Sequence, residues 1–196
     1  MTRLALLRHG PTAWNAAKRL QGRTDIPLSG AARDMLAALA APDWAAGWRW
    51  VASPLTRAVE TARALGHEPE LVAALTEMDW GAYEGETVAG LRTRYGSAFT
   101  AAEDLGLHFR PPGGESPADV QARLRPWLTA IAGDGRDVVA VTHKGVIRAA
   151  LCLATGWDMM GKPPVKLDWK ALHRFTLHPD GGLKLDEANL ALDPRR

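Results

Sequence analysis

The chain has 196 residues, 46% hydrophobic and 23% charged, a composition that suits a globular protein of about one domain. Its 24 basic and 22 acidic side chains leave a formal charge of +2 with no long basic stretch, so nothing points to a nucleic-acid partner. No apolar run approaches the ~20 residues of a membrane helix, and the apolar stretch before Arg8 spans only four residues, too short for a signal-peptide core. A cytoplasmic location away from any membrane is the expectation.

The elements follow in chain order. A strand over residues 2–7 runs into Arg8-His9-Gly10-Pro11-Thr12. Ser29 is placed to cap a helix reaching about Ala41. Trp44, Trp48 and Trp50 gather at a second strand over 48–53, and read as core packing or a subunit contact, which leaves a homodimer open. Ser53 and Pro54 supply an N-cap and a first-position proline for a helix ending near Gly66, with Arg57 one turn in. A third strand over 70–75 leads to Glu77.

Residues 84–115 carry glycines at 85, 90, 96, 106, 113 and 114 and show weaker periodicity. This is the pattern of an excursion with one or two short helices, either a substrate-selecting lid over the site or an insertion without a role. Ser116-Pro117-Ala118-Asp119 then starts a helix ending near Ala132. A strand over 137–142 hands over at His143 to a helix from Gly145 to Thr155. That helix holds Cys152, the sole cysteine, expected to be buried and inert. A strand over 172–178, the turn His178-Pro179-Asp180-Gly181-Gly182 and a short return strand from Leu183 to Leu185 complete the chain. Strands alternating with helices predict an α/β fold in a single domain. The expected form is a three-layer αβα sandwich with a mostly parallel central sheet and an antiparallel edge strand.

In such sheets ligands bind beyond the carboxyl ends of the strands. Four apolar runs of this chain are followed by Arg8 and His9, Arg57, Glu77 and His143, so these ends read as one phosphate-handling site. A neutral imidazole can attack phosphorus, neighbouring arginines disfavour its protonation, and the guanidinium fork matches two phosphate oxygens. Arg57 on the first turn of a helix would add its charge to the dipole field, unless it is merely an exposed solubilising group. His143 could be charged and donate to phosphoryl oxygens, or serve as a structural histidine at a strand end. Glu77 is the leading general acid for the departing oxygen, with Asp79, Glu84 and Glu86 as rivals that spacing does not exclude.

Taken together these blocks resemble the histidine phosphatase superfamily, in its phosphoglycerate mutase-like branch. The resemblance runs through Arg8-His9-Gly10-Pro11-Thr12 with Asn15, the stretch Gln21 to Ser29, Ser53 to Thr61, Glu77 to Gly85, Gly113 to Ser116, and Thr142 to Arg148. It implies a phosphohistidine at His9, proton donation by Glu77, and a phosphate pocket completed by Arg8, Arg57 and His143. Asn15, Gln21 and Gly22 are implied to touch phosphate or substrate, while Lys144, in the turn before the helix, is expected to offer its backbone amide to the site. It further implies no metal and no cofactor.

Two departures stand out: Lys144 replaces a glycine common among such proteins, and Ala31-Ala32-Arg33-Asp34 is a loose form of the usual helix start. The function expected is a phosphomonoesterase acting on a small-molecule phosphate ester. Phosphoglycerate mutase-type transfer is the first alternative, disfavoured by the short excursion. A non-catalytic phospholigand-binding protein is the second.

Overall fold

β1 (Thr2–Arg8) and β5 (Val138–Thr142) lie side by side at the centre of a six-stranded sheet in the computed structural model, which describes residues 1–195. Both read as continuous apolar runs because both of their faces are covered. Leu4, Leu6, Val138 and Ala140 face a core roofed by α6 (Pro117–Asp134) and α7 (Lys144–Thr155). Ala5, Leu7, Val139 and Val141 face a second core under α2 (Gly30–Ala37) and α3 (Thr56–Ala64). The layers are helix, sheet, helix, as expected.

β3 (Arg49–Ala52) pairs in parallel with β5 and with β4 (Glu70–Leu71). On the far side, β6 (Leu172–Leu177) runs antiparallel to β1, and β7 (Leu183–Leu190) antiparallel to β6. The order is therefore β4-β3-β5-β1-β6-β7. Register sets the site: Arg8 pairs with Thr142, and Ala52 with Val141. The ladder continues through His9 N–H to the Thr142 carbonyl at 2.9 Å and Ser53 N–H to the Val141 carbonyl at 3.0 Å. His9, Ser53 and His143 thus leave the sheet at one level.

Several boundaries differ from expectation, each for a local reason. The third strand shrinks from 70–75 to Glu70–Leu71, because Ala73–Leu75 close a 3₁₀ turn. The first long helix stops at Ala37; Leu39–Ala40 form β2 instead, paired with β8 (Asp193–Pro194). Ser53 does not cap α3. That helix starts at Thr56, whose N–H is taken at 2.8 Å by the Asp25 carboxylate from another segment. α6 keeps its expected capping box between Ser116 and Asp119 and extends to Asp134. α7 begins one residue early, at Lys144, and β7 outruns its expected three residues.

A four-residue α1 (Ala13–Ala16) follows the Arg8 turn. The excursion holds two short helices, α4 (Val88–Tyr95) and α5 (Ser97–Glu103). Leu91, Phe99 and Phe109 give it a small core of its own, against Trp80 and Tyr83. Trp48 and Trp50 are buried in the second core with Trp44 packed against it, which is the core-packing alternative. Cys152 is buried, and burial pushes its thiol up to about 11. No helix among the described residues is long and apolar enough to cross a membrane.

Candidate active site

The Nδ1 atom of His9 lies 2.7 Å from the Gly10 carbonyl oxygen. A carbonyl can only accept, so Nδ1 carries the proton and Nε2 keeps its lone pair. The ring is buried, and burial, then Arg8 and Arg57, lower its pKa to about 3. At neutral pH the ring is uncharged. Gly10 is required by packing: a Cβ there would stand 2.7 Å from Leu36 Cδ1. Its N–H donates at 2.9 Å to Thr61 Oγ1, which donates in turn at 2.6 Å to the Arg57 carbonyl, tying the turn to α3.

His143 lies behind His9, with ring centroids 5.1 Å apart, and is fully buried. Its Nε2 is 2.7 Å from Ser53 Oγ, and its Nδ1 has no partner. Burial first, then His9 and Arg57, hold it well below the usual histidine range. The expected charged histidine is therefore neutral in the free protein.

Arg57 is also fully buried; its Nη1 donates to the Thr24 carbonyl at 3.0 Å and its Nη2 to the Gly22 carbonyl at 2.8 Å. Its Nε and that of Arg8 are unpartnered. Unpaired buried polar atoms are uncommon in folded proteins, and here the two guanidinium Nε atoms and His143 Nδ1 all lack partners. The two Nε–H groups are donors without an acceptor.

Glu77 is buried, with Oε1 accepting from Met78 N–H at 2.8 Å and Oε2 from Gly145 N–H at 3.2 Å. Burial raises its pKa; the two amides, Arg57 and Arg8 pull against that with less effect. Arg123, reaching from α6, donates to the carbonyls of Ala74 (2.5 Å), Thr76 (2.6 Å) and Glu77 (3.2 Å), and to Glu115 (3.1 Å). The turn that carries Glu77 is thereby pinned.

The rival carboxylates are engaged elsewhere. Glu84 accepts from the N–H groups of Arg23 (2.6 Å) and Thr24 (2.8 Å), Asp79 from Gly81 N–H (2.8 Å), and Glu86 pairs with Arg94 (2.9 Å).

A cavity of about 390 Å³ opens over these groups, lined by Arg8, His9, Asn15, Gln21, Glu77 and Lys144 among others. The Oδ1 of Asn15 accepts from Thr12 N–H at 2.9 Å, and the Oε1 of Gln21 from Thr12 Oγ1 at 2.8 Å. With their oxygens occupied, both amides present N–H donors. Arg57 and His143 are sealed behind this cavity rather than lining it. Gly22 is also behind it: its carbonyl serves Arg57, and a Cβ there would lie 1.8 Å from Glu84 Oε1. Lys144 stands at the rim, its Nζ 5.2 Å from the centre of the Trp169 ring, over which Arg8 also lies at 5.9 Å.

Sequence reasoning missed Ser53, whose serine-proline context reads as a helix cap, and Arg123, a mid-helix arginine with no local signal. It also missed Trp169, which lies in the turn-rich approach to β6. Among the described residues no cluster of three or more His, Cys, Asp or Glu side chains is arranged to hold a metal ion.

The model of the histidine phosphatase superfamily, branch 1, matches residues 4–189. A glucosyl-3-phosphoglycerate phosphatase of Mycolicibacterium vanbaalenii is 33% identical over 180 residues, covering 81% of this chain and 79% of that protein. A 2,3-bisphosphoglycerate-dependent phosphoglycerate mutase of Gloeobacter violaceus is 31% identical over 163 residues, covering 77% and 74%. The solved complex of mycobacterial glucosyl-3-phosphoglycerate phosphatase with inorganic phosphate has a TM-score of 0.80 at 27% identity, covering 97% of this chain and 98% of that one. The chain belongs to branch 1 of the histidine phosphatase superfamily.

Proposed function

We propose that this protein is a phosphomonoesterase acting on a small phosphorylated metabolite through a phosphohistidine at His9. The observation that carries the reading is the tautomer: Nδ1 is spent on the Gly10 carbonyl, so Nε2 meets the cavity with a free lone pair. In the first step Nε2 forms a bond to phosphorus as the bond to the ester oxygen breaks. Glu77, whose protonated form burial favours, gives its proton to that oxygen. In the second step the Glu77 carboxylate takes a proton from water, the new oxygen bonds to phosphorus, and the N–P bond breaks. Arg8, Arg57, His143 and the amides of Asn15 and Gln21 offset the charge on the phosphoryl oxygens.

Phosphatases among the relatives support hydrolysis. Mutases of similar identity keep transfer to a second hydroxyl as the alternative. The excursion over 84–115 serves as the lid, and the whole chain acts as one domain around this site. A small-molecule ester is the partner, and the cytoplasm is where such a metabolite would be met.

The test is labelling with a phosphorylated substrate, stopped by an alkaline denaturing quench. Wild-type protein should acquire an acid-labile, base-stable phosphoryl group, and His9→Ala should acquire none and lose turnover. A His9→Ala protein with near-normal phosphate release would refute the reading. Supplying 3-phosphoglycerate with trace bisphosphoglycerate separates the two reactions, since hydrolysis releases phosphate and transfer yields the isomer.

A further inference from the structure

Arg8 and Arg57 each carry an unpartnered Nε, yet the two side chains are held differently. Arg57 donates from both terminal nitrogens to the Thr24 and Gly22 carbonyls, so its fork is fixed in direction. Arg8 has no such anchor, since no oxygen among the described residues accepts from its guanidinium. It is half-buried and borders two cavities, of about 390 and 200 Å³, the second lined in part by Met35, Leu36, Leu39 and Leu192. A long side chain with open space beside it and no acceptor samples several rotamers, and ordering it costs entropy when an anion binds.

What the guanidinium does meet is the Trp169 ring, whose centre lies 5.9 Å from it and 5.2 Å from Lys144 Nζ. A guanidinium over an aromatic face is attracted to the ring yet keeps its N–H donors free for a ligand. Trp169 also borders the 200 Å³ cavity, where it fills space that the Arg8 side chain could otherwise enter.

Trp169 is itself tied to the antiparallel side of the sheet. It is the second residue of a turn in which the Asp168 carbonyl accepts from Ala171 N–H at 3.2 Å and the Asp168 carboxylate from Lys170 N–H at 3.0 Å. Asn189, in β7, clamps that turn. Its Oδ1 accepts from Asp168 N–H at 2.6 Å, and its Nδ2 donates to the Lys166 carbonyl at 3.0 Å. It does so from a left-handed backbone, φ 65°, which asparagine adopts more readily than most residues. Leu167 and Trp169 complete the attachment by packing against the core under α7.

We propose that Trp169 is a positioning residue for the phosphate pocket, its ring holding the Arg8 guanidinium in the direction a phosphoryl oxygen requires. Asn189 acts one step further out, by fixing the turn that carries the ring. This rests on the phosphatase reading above and adds to it a residue that works through Arg8.

The experiment is calorimetric titration of the full chain with inorganic phosphate, beside thermal unfolding. Trp169→Leu should bind phosphate about tenfold more weakly than wild type, while Trp169→Phe, which restores an aromatic face, should stay within about threefold of it. Asn189→Gly keeps the left-handed backbone and removes both side-chain bonds to the turn; it should weaken phosphate about threefold or more. A ring with only a structural role would lower Tm and leave phosphate affinity where it is. Because Lys144 shares the ring, the Trp169→Leu loss is measured again in Lys144→Met protein, where it should persist at about tenfold. Disappearance of the loss there would assign the ring to Lys144 and overturn the proposal. So would wild-type affinity in a folded Trp169→Leu protein, or a Trp169→Phe protein as weak as Trp169→Leu. If Trp169→Leu does not fold, Asn189→Gly decides: unchanged affinity overturns the role, and the expected loss supports it. Binding of inorganic phosphate requires no N–P bond, so these affinities decide the role of Trp169 even if labelling were to refute the phosphohistidine.

Discussion

His9 and Glu77 owe their states to burial more than to neighbouring charges. His9 is pushed down to about 3 and Glu77 is pushed up, each mainly by loss of solvent. His9 is therefore neutral near pH 7 and Glu77 is shifted towards its protonated form, the combination the proposed attack and proton donation require. The sign of the pH dependence follows. kcat/KM should fall on the alkaline side as Glu77 ionises, and the acid limb should not come from His9 until pH approaches 3. Glu77→Gln should lower kcat about 100-fold or more and abolish the alkaline limb, measured with an ester of a poor leaving group. An alkaline limb unchanged in Glu77→Gln would assign it to another group. Ser53, by contrast, was unreadable as a site residue, since Ser-Pro ahead of a helix reads equally well as a cap. Only the juxtaposition of β3 and β5 gives its hydroxyl to His143.

At the scale of elements, α7 and the turn before it work as a unit. Gly145 approaches the Glu77 carboxyl so closely that a Cβ would lie 2.3 Å from Oε1. Gly145→Ala should displace the acid and cut kcat at least tenfold while leaving Tm within a few degrees, a split readable from kinetics beside thermal unfolding. α6 gives the opposite case. Its capping box between Ser116 and Asp119 joins the excursion to the helix that carries Arg123. Ser116→Ala should cost about 1 kcal/mol of stability, seen as a lower urea midpoint, with modest loss of activity. That cap was legible from Ser-Pro-Ala-Asp, because the box is local chemistry. The start of α3 was not, because its cap comes from Asp25, 31 residues away. The strand expected over 70–75 failed for a related reason: apolar residues there fill a 3₁₀ turn against α6, and apolarity alone does not distinguish the two.

Across the whole molecule, three buried histidines bias the fold against acid. His9 is held near 3, His173 near 4 and His143 well below 6.5, all mainly by burial. Their folded pKa values lie below the unfolded one, so the stability they contribute is complete above about pH 6.5 and declines as pH falls towards the folded values. Each adds about 1.4 kcal/mol of lost stability per pH unit within that window. His173 is the clean test: it sits in β6 opposite Leu6 of β1, with Nδ1 accepting from Asn189 N–H at 3.2 Å, and it does not line the cavity. His173→Asn should reduce the slope of unfolding free energy between pH 6.5 and 5 by close to one proton, measured by urea titration. An unchanged slope would remove His173 from the account.

The layered fold and the clustering of Arg8, His9, Glu77 and His143 follow from the chain's own order. Continuous apolar runs must be covered on both faces, and parallel strands bring their carboxyl ends to one edge. What only the assembled fold decided was the state and availability of each group. It set which nitrogen of His9 is free, which carboxylates are already engaged, that Arg57 and His143 sit behind the cavity, and that Arg8 meets the Trp169 ring. Those properties depend on burial and on partners remote in sequence, and desolvation and hydrogen bonding act through space.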